Sequence, residues 1–231
     1  MGSLPGWMPV LIEKLSWGCS VSPWFIDLAD GKFRERGRKI IFALWPFMKE
    51  LPQNIRTVRD ALPAEMSAAS QLLNRLSDDE SKYQGLFLQQ FPLAGVTLEE
   101  VEAAPVGAVT QNLCDVMTKM CTQKTFAEGI HSIVAAELAA TMYCRAALPS
   151  CESYFEKHAA EYEPALISQG LEWVRLHAKT HMRHAIWMKR MLDDLNQNHG
   201  EQIPEAAQQV LDATLALWEC PKESIVGARS N

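Results

Sequence analysis

Phe126-Ala-Glu-Gly-Ile130-His-Ser-Ile-Val134-Ala-Ala-Glu137-Leu138-Ala-Ala-Thr-Met142-Tyr-Cys144-Arg145-Ala-Ala147 is a long, strongly apolar stretch with helical spacing. Ile130, Ile133, Val134, Leu138 and Met142 leave it little polar face, so it reads as a helix at the centre of an all-helical protein. Leu148-Pro149-Ser150 is expected to end it, since proline lacks an N–H and crowds the preceding turn. Between Ile130 and Met142 the one acid is Glu137. Desolvating a carboxylate is expensive, so an acid there requires a metal, an arginine or a proton.

Outward from that helix, helix-type spacing recurs and no β-type alternation persists. Ser22-Pro23 opens a helix carrying Trp24, Phe25 and Leu28 that closes at Asp30-Gly31. Arg38 to Lys49 follows, with Pro46 as a kink or join and Leu51-Pro52 as a stop. Further helices are expected over about Ala64–Leu76, Asp78–Gln90, a short capped piece from Thr97, Ala108–Lys124, Ser153–Tyr162, Leu171–Leu195 as the longest regular stretch, and Pro204 to about Trp218. The sum is an all-α bundle of about seven to nine helices. It forms a single domain over residues 1–231, with its core at about 22–218.

The chain carries a net charge of −6 and is 48% hydrophobic, which argues against a nucleic-acid partner, because phosphate binding needs clustered Lys and Arg. The densest basic run, Lys32 to Lys39, reads as a solvated helix face. No apolar run approaches the ~20 residues that span a bilayer, and no signal-peptide pattern is present at the N-terminus. No membrane partner is therefore expected. The six cysteines form no CxxC pair, so reduced thiols in a cytoplasmic protein are the expectation.

The segment Leu171-Glu-Trp-Val-Arg-Leu-His177-Ala-Lys-Thr-His181-Met-Arg-His184-Ala185 carries three histidines at i, i+4 and i+7. At about 100° per residue they share a ~60° wedge of one helix. Imidazole is a common ligand for iron, zinc and copper, and a bundle can supply carboxylates from facing helices. Glu137 is the first such acid. Glu80 is the second, with Tyr83 on the same face, and Glu50 is a weaker third.

These motifs together resemble the heme-oxygenase-like (TenA/PQQ-synthase-like) superfamily of helical bundles, and more narrowly its diiron oxidases and oxygenases. Residues 22–31 (Ser-Pro-Trp-Phe-Ile-Asp-Leu-Ala-Asp-Gly) resemble the family's opening helix, and Phe42 to Ile55 resemble its second helix, which runs into a proline. Asp79-Glu80-Ser-Lys-Tyr83-Gln-Gly-Leu-Phe87 resembles a segment giving a glutamate and a histidine, and Ala135-Ala-Glu137-Leu-Ala a central helix giving another glutamate. His177-x-x-x-His181-x-x-His184 resembles the family's His-x-x-x-Asp-x-x-His helix. The resemblance implies metal ligands Glu80, Glu137, His177, His181 and His184, with two ferrous ions per chain and O2 as co-substrate. It departs from the family at His181, where aspartate is usual, and at Tyr83, where histidine is usual. A phenolate can ligate iron, so Tyr83 is kept there as a catalytic residue. An apo pocket or a single metal remains open. The implied activity is oxygen-dependent attack on a C–H or C–N bond of a small amino acid, amine or carboxylate in specialised biosynthesis. Arg145 or Arg175 would clamp a substrate carboxylate. Related bundles commonly dimerise, so a homodimer is implied as well.

Three other readings stand beside this one. A TenA-like thiaminase or aminopyrimidine hydrolase would use a cysteine nucleophile, for which Cys144 shares a face with Glu137 and Thr141. A cofactor-free oxidase would use the histidines as acids, bases and oxyanion donors. A non-catalytic interaction protein would have kept the fold and lost the site. Heme oxygenase itself does not fit, because its opening helix carries a histidine and Ser22 to Lys32 has none.

Overall fold

Thr125 and Glu128 cap each other's backbone N–H groups in a reciprocal capping box, and from this start the longest helix runs 32 residues, Phe126–Lys157. In the computed structural model, which describes residues 4–179, 181–195 and 199–219 and not the side chains of 181–183 and 185, it is the seventh of eleven α-helices. In chain order these are α1 (Trp7–Val21), α2 (Pro23–Ala29), α3 (Phe33–Asp60), α4 (Ser67–Leu88), α5 (Leu98–Ala103), α6 (Ala108–Thr122), α7 (Phe126–Lys157), α8 (Pro164–Gly170), α9 (Glu172–Lys179), α10 (His181–Asp194) and α11 (Glu205–Glu219). No strand occurs among the described residues.

The apolar character of α7 places it at the centre. It packs against α1, α2, α3, α6, α9, α10 and α11, and one continuous core runs from Trp7 to Trp218. Gly129 allows α7 to press close to α3: a Cβ there would lie 2.5 Å from Val58 Cγ2. α4 packs on α3, α8, α9 and α10. The faces of α4, α7, α9 and α10 therefore converge on one interior volume.

Several predicted breaks do not exist. α3 continues through Pro46 and Pro52, and α7 through Pro149 as far as Lys157, so Ser153–Tyr162 is not a helix of its own. Likewise, the expected helices over Ala64–Leu76 and Asp78–Gln90 are mostly one, α4. Proline removes a hydrogen bond to the carbonyl four residues earlier. At Pro52 that carbonyl belongs to Met48, and Gln84 Nε2 of α4 donates to it at 2.7 Å. Ser77 Oγ donates to the Pro52 carbonyl itself at 3.1 Å. Buried residues on both sides of Pro52, Trp45 and Met48 before it and Ile55 and Val58 after it, anchor the continuous helix in the core. α1 lies outside the predicted core, yet it buries Trp7, Met8, Leu11 and Leu15. The stretch expected as one helix over Leu171–Leu195 is described as α9 and α10 on either side of residue 180. The side chain of His181, a predicted ligand, lies outside the described residues, as does Cys220.

The basic run Lys32–Lys39 is not wholly solvated. Arg36 is buried and paired with Asp27, which Lys32 also reaches at 2.7 Å. Removing one partner of a buried pair strands the other charge. Asp27→Ala is therefore expected to cost about 3–5 kcal/mol and to lower the thermal unfolding midpoint by roughly 10 °C, readable by circular dichroism. An unchanged midpoint would show that Arg36 does not depend on this partner.

Candidate metal centre

Four helices each contribute a polar side chain to the volume beside α7. Glu80 and Tyr83, one helical turn apart on α4, Glu137 on α7, His177 on α9 and His184 on α10 are all buried. Glu80 is 2% exposed and Glu137 5%, which leaves no solvent to pay for either charge.

The geometry shows how the site copes. His184 Nδ1 donates to Glu137 Oε2 at 2.8 Å, and the His184 ring stacks on Trp187. His177 Nδ1 donates to the Trp173 carbonyl at 2.9 Å, a bond within one helical turn. This bond fixes the tautomer and leaves Nε2 as the nitrogen able to ligate or to accept a proton. Metal-binding histidines commonly use their second nitrogen in this way. Trp173 and Tyr83 pack against the His177 ring, with centroids 4.3 and 5.0 Å away. Tyr83 also lies 6.3 Å from the His184 ring.

Two polar atoms are left over. Glu80 Oε1 and His184 Nε2 are buried without a hydrogen-bond partner among the described residues. Burial, reinforced by the neighbouring charges of Glu137 and Asp79, pushes the Glu80 carboxyl well above its usual range. Burial likewise depresses the His177 imidazole; the Trp173 carbonyl and Glu137 oppose that, and His184 adds to it. One ligand atom from each of Glu80, Glu137 and His184 can be chosen so that all lie within 4.8 Å of one another. Carboxylate oxygen and imidazole nitrogen form a donor set that suits iron, manganese or zinc. A dication would also give both orphaned atoms a partner, so the residues present fit a metal.

The remaining predicted residues are not part of that three-residue group. Arg175 is tied to Glu152 at 3.0 Å, and Arg145 is exposed and donates to the Ala178 carbonyl at 3.4 Å. Glu50 is exposed. Cys144 is fully buried, and burial together with Cys151 and Glu80 pushes its thiol well above the usual range. Trp173 and Trp187 pack on the two imidazoles, and the Trp173 carbonyl accepts from His177. The signal for Trp173 was its position four residues before His177, which places its carbonyl under the ring.

No protein-family model matches the chain, and no curated protein matches it. Solved structures do. A TenA homologue from Pseudomonas syringae pv. tomato str. DC3000 superposes with a TM-score of 0.71 at 15% identity, covering 94% of this chain and 90% of that one. A TenA homologue from P. horikoshii OT3 gives 0.67 at 13% identity, over 90% and 93%. A domain of unknown function with a heme oxygenase-like fold from Shewanella denitrificans OS217 gives 0.69 at 15% identity, over 91% and 86%. The chain thus has the heme-oxygenase-like fold. No helix among the described residues is long and apolar enough to cross a membrane.

Because burial raises the Glu80 pKa in the folded state, metal-free protein is expected to lose stability as pH rises from the usual glutamate range toward the raised folded value. Glu80→Gln, which mimics the protonated acid, removes that loss. In chelator, the variant's unfolding midpoint is expected to exceed wild type by a margin that widens from pH 4.5 to pH 8. A margin independent of pH would mean that Glu80 is not held protonated.

Proposed function

We propose that this protein is a non-heme iron oxidase or oxygenase that consumes O2 while acting on a small molecule, with amino acids, amines and carboxylates as the substrate classes carried by the resemblance. The observation that supports it is the buried convergence of Glu80, Glu137 and His184, with orphaned polar atoms on Glu80 and His184. These three residues would hold one iron, and His177 Nε2 is the donor at hand for a second. When bound, ferrous iron would supply the activation of O2.

The chain's own residues do the rest. Burial favours the protonated form of Glu80, and as a metal ligand Glu80 would release that proton. The hydrogen bond from His184 to Glu137 orients both groups, and the Trp173 carbonyl holds His177 in the tautomer with Nε2 free. Trp173, Trp187 and Tyr83 exclude water around the imidazoles, which strengthens each electrostatic interaction inside. The Tyr83 phenol, against both rings, is the residue placed to hold or pass a proton.

A hydrolase using Cys144 has the TenA-homologue superpositions in its favour. It needs a thiolate, however, and full burial beside Glu80 works against forming one.

Reconstitution with ferrous iron under anaerobic conditions separates the two readings. Wild type is expected to retain about two irons per chain, as carboxylate–histidine bundles of this kind do, and to develop a transient visible absorption on mixing with O2. Glu137→Ala and His184→Ala are expected to lose both signals, while Cys144→Ala keeps them. Iron-free protein that hydrolyses an aminopyrimidine, and ceases to on Cys144→Ala, would replace the oxidase with the hydrolase.

A further inference from the structure

Beside Trp173, whose ring packs on that of His177, lies a cavity of about 50 Å³. Ala136, Ala139 and Ala140 of α7 form one wall, and Val210, Thr214 and Leu217 of α11 another. The lining holds no charged side chain among the described residues, and its polar atoms are limited to Thr214, Tyr143 and two indoles. A second cavity of about 20 Å³, equally free of charge, shares Tyr143 with the first and is lined by Val174, the neighbour of Trp173. The two therefore follow one another along α7 and α9.

This wall chemistry selects its occupant. A buried water wants about two to four polar partners, and apolar cavities stay dry while admitting apolar gases. An amino acid or carboxylate would lose its hydration with no counter-charge in return. The space has room for only a few water-sized molecules. What fits is a small, uncharged, apolar molecule. The position adds to this. Trp173 lines the cavity and also packs on the His177 ring, with centroids 4.3 Å apart. Its Nε1 is buried without a hydrogen-bond partner among the described residues, so packing alone holds the indole between cavity and cluster.

We propose that this cavity is a dioxygen site, in which O2 partitions out of water and from which it reaches the Glu80–Glu137–His184 cluster past Trp173. The choice of O2 among apolar gases rests on the oxidase reading; the affinity for a small apolar gas does not.

The test has two parts. Metal-free crystals of the full chain under xenon pressure are expected to show xenon between Ala139, Thr214 and Trp173. Ferrous-loaded wild type, Ala139→Leu and Thr214→Met are then mixed with O2 in stopped flow over a range of O2 concentrations. The filled variants are expected to keep wild-type iron content and react about tenfold more slowly at low O2, the size of effect that a methylene-scale change produces in an apolar pocket. No xenon in the cavity overturns the proposal, and so does a filled variant that binds no xenon yet reacts at the wild-type rate. Xenon bound in a ferrous protein inert to O2 would end the oxidase reading and dioxygen as the occupant. Reaction with O2 in a protein that takes up no xenon would end the cavity assignment alone.

Discussion

Two carboxyl groups share one dry interior, and the rest of the architecture answers to that constraint. Water would solvate both at no cost, whereas the bundle has removed it. The chain meets the demand in two ways. Glu137 receives a hydrogen bond from His184, and Glu80 is pushed by burial toward its neutral form. The second solution leaves an oxygen unsatisfied, as the first leaves a ring nitrogen. A bound cation would settle both deficits at once, and this is what makes the cluster a candidate metal site. Buried polar groups with no partner are uncommon in folded proteins, and those that persist ask for an explanation.

Holding such a cluster requires rigid supports. Each donor sits on a helix, not a loop, and each helix is locked by contacts away from the site. α4 is fastened to α3 by Gln84 and Ser77, which meet the backbone around Pro52. Phe87, one turn beyond Tyr83, packs on Trp45 of α3 and on Trp173 of α9. The same tryptophan then carries His177. A chain of aromatic rings thus transmits the position of α3 to an imidazole at the centre.

The all-helical fold and its central helix were legible in the sequence because amphipathic period and the apolar Phe126–Ala147 run are local signals. The prolines misled for a physical reason. Pro52 forfeits a backbone hydrogen bond whose acceptor is satisfied from α4, and no local window contains Gln84 and Met48 together. Arg36 was read as solvated because its partner Asp27 lies on a different helix. Within the site, Glu80, Glu137, His177 and His184 were singled out by residue type and spacing. The ring contacts of Trp173 and Trp187 are not legible there, since a tryptophan in a helical pattern carries no mark of what its ring touches. The apolar cavity was beyond reach altogether, for its walls come from helices distant in sequence.

Anomalous X-ray diffraction at the iron edge, on crystals loaded with ferrous iron without oxygen, tests the central claim most directly. The account predicts a strong peak bounded by Glu80, Glu137 and His184. A map featureless there, with those three side chains arranged as in the metal-free protein, would contradict it.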